Sequence, residues 1–173
     1  MKEEQHKTIW TIGHSTRSLS EFVEMLRSFD IHTLIDIRSF PGSKRYPHFN
    51  KEQLFGSLSS CGITYLHMLA LGGRRKPRQN SSNTAWTNAA FRGYADYMET
   101  NEFKSAIVEL EELASVRRVV YMCSEAVWWR CHRALVSDYL KLRAWKVMHI
   151  MAVGKATEHP FTAPAREAQG KLF

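Results

Sequence analysis

Cysteine is scarce in this chain: Cys61, Cys123 and Cys131 are the only three among 173 residues. So odd and sparse a set excludes the disulfide framework of a small secreted domain, and reduced thiols are expected. Long apolar runs are missing too. None approaches the roughly 20 residues that cross a bilayer, and Met1-Lys2-Glu3-Glu4-Gln5-His6 lacks the apolar region of a signal peptide. A soluble cytoplasmic protein with no membrane partner is expected. No internal repeat is present, and a chain of this length buries about 70% of its unfolded surface as one unit. One domain over residues 1–173 follows.

Acidic side chains are almost absent from one stretch. Between Arg38 and Arg78 lie Arg38, Lys44, Arg45, Lys51, Arg74, Arg75, Lys76 and Arg78, against Glu52 alone, so this stretch holds the whole formal charge of +7. A concentrated excess of this kind attracts phosphates, on a nucleotide or along a nucleic acid, although it also suits a merely soluble surface. Residues 72–90 contain little that builds a core. They read as a basic mobile loop, either a flap over an anionic ligand or a solvated insertion.

The rest is regular. Short β-branched runs at 8–12, 33–37, 63–66, 119–122 and 147–151 alternate with helical patterns near 18–29, 50–62, 91–98, 102–114 and 125–142. This alternation predicts an α/β fold, a single-domain three-layer α/β/α sandwich around a mostly parallel, about five-stranded Rossmann-like sheet. The carboxyl ends of parallel strands share one edge, which is where open α/β sheets place their chemistry. That edge gathers Gly13-His14-Ser15, Asp36-Ile37-Arg38, His67 and Cys123-Ser124-Glu125.

The densest chemistry lies in Cys123-Ser124-Glu125-Ala126-Val127-Trp128-Trp129-Arg130-Cys131-His132-Arg133. With a helix beginning at once after the strand, Cys123 sits at its positive end, which favours a thiolate. His14 or His67 is then the candidate base, and Arg38 or Arg130 the anion clamp. Glu125 opposes both a thiolate and an anionic substrate, and a buried inert cysteine is the bland alternative. Asp36 and Arg38 share a strand face, where an ion pair is the structural alternative. The Arg lies seven residues beyond the Cys with no glycine between, which does not fit the anion loop of cysteine phosphatases.

In such a helix the Cα atoms of Cys123 and Cys131 stand about 12 Å apart, too far for a disulfide. Cys131 then falls on a stripe with Trp128, Leu135, Tyr139 and Leu142 and reads as core. A metal site of Cys123, Cys131 and His132 lacks the usual ligand spacing. Neither metal nor cofactor is expected. Arg45 and Tyr46, with His48 and Phe49, offer the best mixture of charge and ring for a nucleotide.

Taken together, Thr11-Ile12-Gly13-His14-Ser15, Leu34-Ile35-Asp36-Ile37-Arg38 with Pro41, residues 62–65, Leu71-Gly72-Gly73, Phe91-Arg92-Gly93-Tyr94, Cys123-x-Glu125 with Cys131-His132-Arg133, His149-Ile150 and His159-Pro160 resemble domain-of-unknown-function family 488. The resemblance implies a small cytoplasmic bacterial or archaeal α/β protein whose activity is not established. It marks His14, Ser15, Asp36, Arg38, Cys123, Glu125, Cys131, His132 and Arg133 as functional positions. Trp128-Trp129 departs from it, standing where smaller or proline-containing sequences are implied.

The leading expectation is an enzyme acting on a phosphate-bearing substrate, nucleotide or nucleic acid. Cys123, His14, Glu125 and Asp36 form its catalytic set, and Ser15, Arg38, Arg45, Tyr46, Arg74, Arg75, Arg130 and Arg133 bind the anion. A non-catalytic nucleic-acid-binding module and a Cys/His metal protein are the alternatives.

Overall fold

The computed structural model describes residues 7–167, so Met1–His6 and the outer ends of the expected 1–173 domain lie outside the described residues. Within them the elements run β1 (Thr8–Gly13), α1 (Leu19–Ser28), β2 (Thr33–Asp36), α2 (Lys51–Ser60), β3 (Thr64–His67), α3 (Ala89–Tyr97), α4 (Asn101–Val116), β4 (Val119–Cys123), α5 (Arg133–Leu142), β5 (Lys146–Ala152), β6 (Lys155–Glu158) and α6 (Ala163–Glu167). The strands form one sheet in the order β3-β2-β4-β1-β5-β6, parallel except for β6.

The burial of these strands explains their sequence. Alternate residues of a strand face opposite sides. Ile9, Ile35, Val119, Tyr121 and Val147 pack in the core that holds α3, α4 and α5, whereas Trp10, Ile12, Leu34, Val120 and Met122 pack in the core that holds α1 and α2. Helices on both faces require strands apolar on both faces, hence the β-branched runs without polar alternation. Capping fixes the helix starts. The Ser18 hydroxyl accepts from the Glu21 N–H, Asn88 from Ala90 and Phe91, and Thr100 from Phe103.

Two features depart from the expected outline. A sixth strand, β6, folds back antiparallel on β5 through a turn in which Gly154 has φ +68. More consequentially, residues 124–132 do not continue the pattern into a helix. They form an irregular excursion with one 3-10 turn at Trp128–Arg130, and α5 begins only at Arg133. Tertiary contacts outweigh local propensity here. The Trp128 ring stacks on His149 of β5 at 4.7 Å and meets His159 edge-on at 4.8 Å, and the Glu125 carbonyl accepts from Arg133.

The basic loop is irregular and is hydrogen-bonded to α3. Buried Asp96 of α3 accepts from the Arg78 N–H (2.8 Å), the Ser81 hydroxyl (2.6 Å) and the Asn83 amide (2.7 Å), and Trp86 is buried against Phe91. No helix among the described residues is long and apolar enough to cross a membrane.

Candidate active site

At the carboxyl edge of the sheet, β1 and β4 run on side by side past their ends: the His14 N–H donates to the Cys123 carbonyl at 3.0 Å and the Ser15 N–H to that of Ser124 at 2.9 Å. Gly13 makes this approach feasible. A Cβ there would lie 1.6 Å from the Glu125 carbonyl oxygen, so any larger residue would push residues 124–126 away. The excursion, the loop after β2 and the start of the basic loop together enclose a cleft of about 520 Å³. His14, Arg38, Tyr46, Arg74, Cys123, Glu125, Cys131 and His132 are in its wall.

Because α5 starts late, Cys131 returns to the strand end instead of lying a helix away. Its sulfur is 3.0 Å from that of Cys123, and the expected 12 Å separation is corrected accordingly. Nor is Cys131 simply a core residue: it is the more exposed of the pair, at 9% against 2%, and both line the cleft. Arg133, 1% exposed, lies beneath them. Its Nε donates to the Cys123 sulfur at 3.0 Å, its Nη1 to the Thr11 hydroxyl at 3.0 Å, its Nη2 to the Glu125 carbonyl at 2.6 Å, and its backbone N–H to the Cys131 sulfur at 3.4 Å.

No carboxylate pairs with Arg133 among the described residues. A buried cation without a counter-charge is costly, and the two thiols are the groups placed to supply one. Burial pushes the Cys123 thiol up, and so does its hydrogen bond to Cys131. Burial also raises Cys131, but the hydrogen bond with Cys123 and the charge and N–H of Arg133 outweigh it and bring that thiol down to about 6. The two sulfurs titrate as a pair, with ionisation favoured at Cys131 and disfavoured at Cys123. The helix end expected beside Cys123 is absent, because α5 begins only at Arg133.

A chain of buried polar groups extends behind Arg133. The Thr11 hydroxyl lies 2.6 Å from His149 Nδ1, His149 Nε2 lies 2.9 Å from His159 Nδ1, and His159 Nε2 lies 2.8 Å from the Asp138 carboxylate. With both rings neutral, the bonds all run in one direction. Asp138 accepts from His159 Nε2–H, so His159 Nδ1 accepts from His149 Nε2–H, and His149 Nδ1 accepts from the Thr11 hydroxyl, whose oxygen accepts from Arg133. Burial, then His159, then Arg133 lower His149 to about 2, which keeps it neutral as this chain demands. The Thr162 N–H and hydroxyl also donate to Asp138, at 3.0 and 2.5 Å. Replacing Asp138 by Ala strands all three donors, and a loss of about 3–5 kcal/mol is expected in urea unfolding. A loss below about 1 kcal/mol would deny this chain its structural weight.

His14 shares the cleft wall with Cys123, but both its ring nitrogens are engaged. Nδ1 donates to the Ser15 carbonyl at 2.9 Å, and Nε2 accepts from Arg38 at 3.2 Å. Burial first, and then Arg38, lower it to about 4, so it is neutral and has no lone pair free for a general base in this arrangement. Asp36 is fully buried and outside the cleft wall. It grips Arg38 through two oxygens, at 2.9 and 2.7 Å, and accepts from the Tyr65 hydroxyl at 2.5 Å, so it holds Arg38 instead of facing a ligand. Arg38 also donates to the Phe49 carbonyl, which leaves one of its five N–H groups uncommitted among the described residues.

The other expected residues divide by location. Ser15, in a left-handed conformation at φ 49, joins Tyr46 and Arg74 in the cleft wall. Arg45 and Arg130 are exposed outside it. Arg75 is also outside, with its guanidinium over the Tyr97 ring at 3.7 Å. His67 is outside as well, bonded to the Arg38 carbonyl at 2.7 Å. His132 lines the cleft, but its Nε2 is 2.9 Å from the Ile37 carbonyl, and burial followed by Arg133 lowers it to about 4. Cys123, Cys131 and His132 therefore do not converge on a metal, and no group of three or more His, Cys, Asp or Glu among the described residues does so.

Sequence reasoning passed over Asp138, and it noted Thr11, His149 and His159 without giving them a role. Their only signal is polarity in otherwise apolar segments. The profile described as Domain of unknown function DUF488 matches residues 18–140, more than two thirds of the chain. No curated protein and no solved structure matches.

Proposed function

We propose that this chain, which belongs to the family described as Domain of unknown function DUF488, is a thiolate enzyme acting on a small phosphate-bearing substrate. One observation carries the reading: a buried arginine whose counter-charge is a pair of thiols, at the floor of an open cleft. We assign the nucleophile's role to Cys131, the more exposed residue of the pair and the thiol whose ionisation is favoured. Cys123 stabilises that charge by its S–H, Arg133 balances it, and Glu125 at the lip is the carboxylate within reach for proton transfer.

The anionic substrate is argued from charge and size. Arg38 and Arg74 outnumber Glu125 in the wall, serines and Tyr46 add hydroxyl donors, and the volume suits a nucleotide-sized ligand. A nucleic-acid chain is less favoured. Of the four cations in the basic loop, Arg75 is committed to Tyr97 and Arg78 to Asp96 and Glu99.

Alkylation by iodoacetamide across pH, mapped to the tryptic peptide Cys131-His132-Arg133, tests the nucleophile. A midpoint near 6 is expected; one near 8.5, the value of a free thiol, overturns the reading. Inorganic pyrophosphate and a nucleoside monophosphate should slow the reaction. Arg74→Ala is expected to weaken that protection by about tenfold, for one charge-assisted contact, whereas Arg78→Ala leaves it unchanged. If neither ligand protects, the phosphate-bearing substrate is discarded.

A further inference from the structure

We infer that Cys123 and Cys131 form a redox-active dithiol, which reduces a hydroperoxide and is left as a disulfide. The inference rests on the placement of the thiolate proposed above and adds a reaction to it. Three observations carry it. The sulfurs are 3.0 Å apart, so bond formation needs only a small further approach. Cys131 lies on the irregular excursion ahead of α5, in an extended conformation (φ −140, ψ 174), so closing the bridge unwinds no helix. Both cysteines line the cleft, and Cys131, at 9% exposure against 2% for Cys123, is the one more open to a peroxide, the arrangement of a nucleophile with a resolving thiol.

The Cys131 thiolate attacks one peroxide oxygen and the O–O bond breaks. The sulfur becomes a sulfenic acid, and the other oxygen leaves as hydroxide or alkoxide, which takes a proton from solvent. The Cys123 sulfur then attacks the sulfenic sulfur. An S–S bond forms, the S–O bond breaks, and the hydroxyl departs as water with the Cys123 proton. Two thiols have given up two electrons, and the peroxide has accepted them. A small dithiol restores the pair by exchange and is itself converted to a cyclic disulfide.

Arg133 sets the direction in which this couple leans. Oxidation removes the negative charge and leaves the guanidinium on two neutral oxygens, those of Thr11 and Glu125. The reduced form is therefore the better stabilised, and the disulfide is easily reopened. While closed, it holds the nucleophile out of use.

The sequence offers a direct assay. Trypsin cuts after Arg118, Arg130 and Arg133, so a Cys123–Cys131 bridge joins peptide 119–130 to peptide 131–133. The full chain is treated with hydrogen peroxide at pH 7, blocked with iodoacetamide and digested without reductant. The joined peptide, lighter by two hydrogens than its separate parts, is expected. It should form about tenfold or more faster than Cys61 oxidises, since Cys61 caps α2 outside the cleft. It should disappear with dithiothreitol. In Cys123→Ser the first step remains and the second cannot follow, so a sulfenic acid on Cys131 persists and is captured by dimedone.

The same wild-type sample without peroxide reports on the thiolate separately. Fast alkylation of Cys131 at pH 7 with no joined peptide overturns the redox inference and leaves the nucleophile standing. A joined peptide together with slow alkylation supports the redox inference and removes the nucleophile. Absence of both overturns both.

Discussion

Replacing Arg133 by methionine should abolish the thiolate at neutral pH. The guanidinium donates to the Cys123 sulfur and lies buried beside the pair, and methionine matches its apolar stem without a side-chain charge or donor. With the Cys131 thiol near 6, about nine-tenths of it is ionised at pH 7; returned to the 8.5 of a free thiol or above, a few per cent is. Ultraviolet absorbance of the thiolate against pH reads this directly, and circular dichroism at the same points verifies the fold. A rate at a single pH is the poorer probe, because intrinsic nucleophilicity falls together with thiol pKa. A midpoint that stays near 6 in the methionine variant would show that something other than Arg133 holds the charge. Arg133→Lys, with its charge kept and its fork lost, should fall between the two.

Acid should unfold this protein early. His14 and His132 are held near 4 and His149 near 2, each first by burial, whereas the same rings in an unfolded chain take up protons at 6.5. Between those values the unfolded chain binds more protons than the folded one, so stability falls as pH falls. The loss starts near 6.5, and each ring's share ends at its folded value. Each fully engaged ring contributes about 1.4 kcal/mol per pH unit, so the three together contribute about 4 kcal/mol per unit near pH 5. Relative to neutral pH the three rings together remove about 6 kcal/mol by pH 5 and about 9 by pH 4, which unfolds a protein in the lower half of the typical 5–15 kcal/mol range. The thiol pair adds to the same trend at higher pH, since a depressed thiol loses its stabilising effect as pH falls from 8.5 through about 6. Urea midpoints measured from pH 8 to 4 test the sign; a flat dependence from 7 to 5 would mean that these rings are not held neutral.

Much of the frame was legible in the sequence because the features that announce it are local. Alternation of β-branched runs with capped helical patterns needs no partner to be recognised, and the carboxyl edge of a parallel sheet follows from the alternation. His14, Asp36, Arg38 and Cys123 were therefore placed on the same edge before any coordinate was known. Their roles were another matter. Arg38 had looked like a clamp and His14 like a base, yet each is occupied largely by the other and by Asp36 and Ser15. Periodicity also misled at 125–132. Its spacing fits a helix, and tertiary contacts, among them Trp128 on His149 and Arg133 on Glu125, hold the segment in another shape.

The sequence by itself determined the layers, the edge where chemistry collects, the family and the stretch holding both reactive sulfurs. Tertiary structure alone decided that Cys131 meets Cys123, that Arg133 lies beneath them with no carboxylate partner among the described residues, and that Thr11, His149, His159 and Asp138 form one chain behind it. The reason is range. A strand or helix is specified by neighbours within a few residues, whereas the ionisation of the buried thiols is set by burial and by Arg133 of α5, which is itself held by Thr11 of β1, 122 residues away from it along the chain.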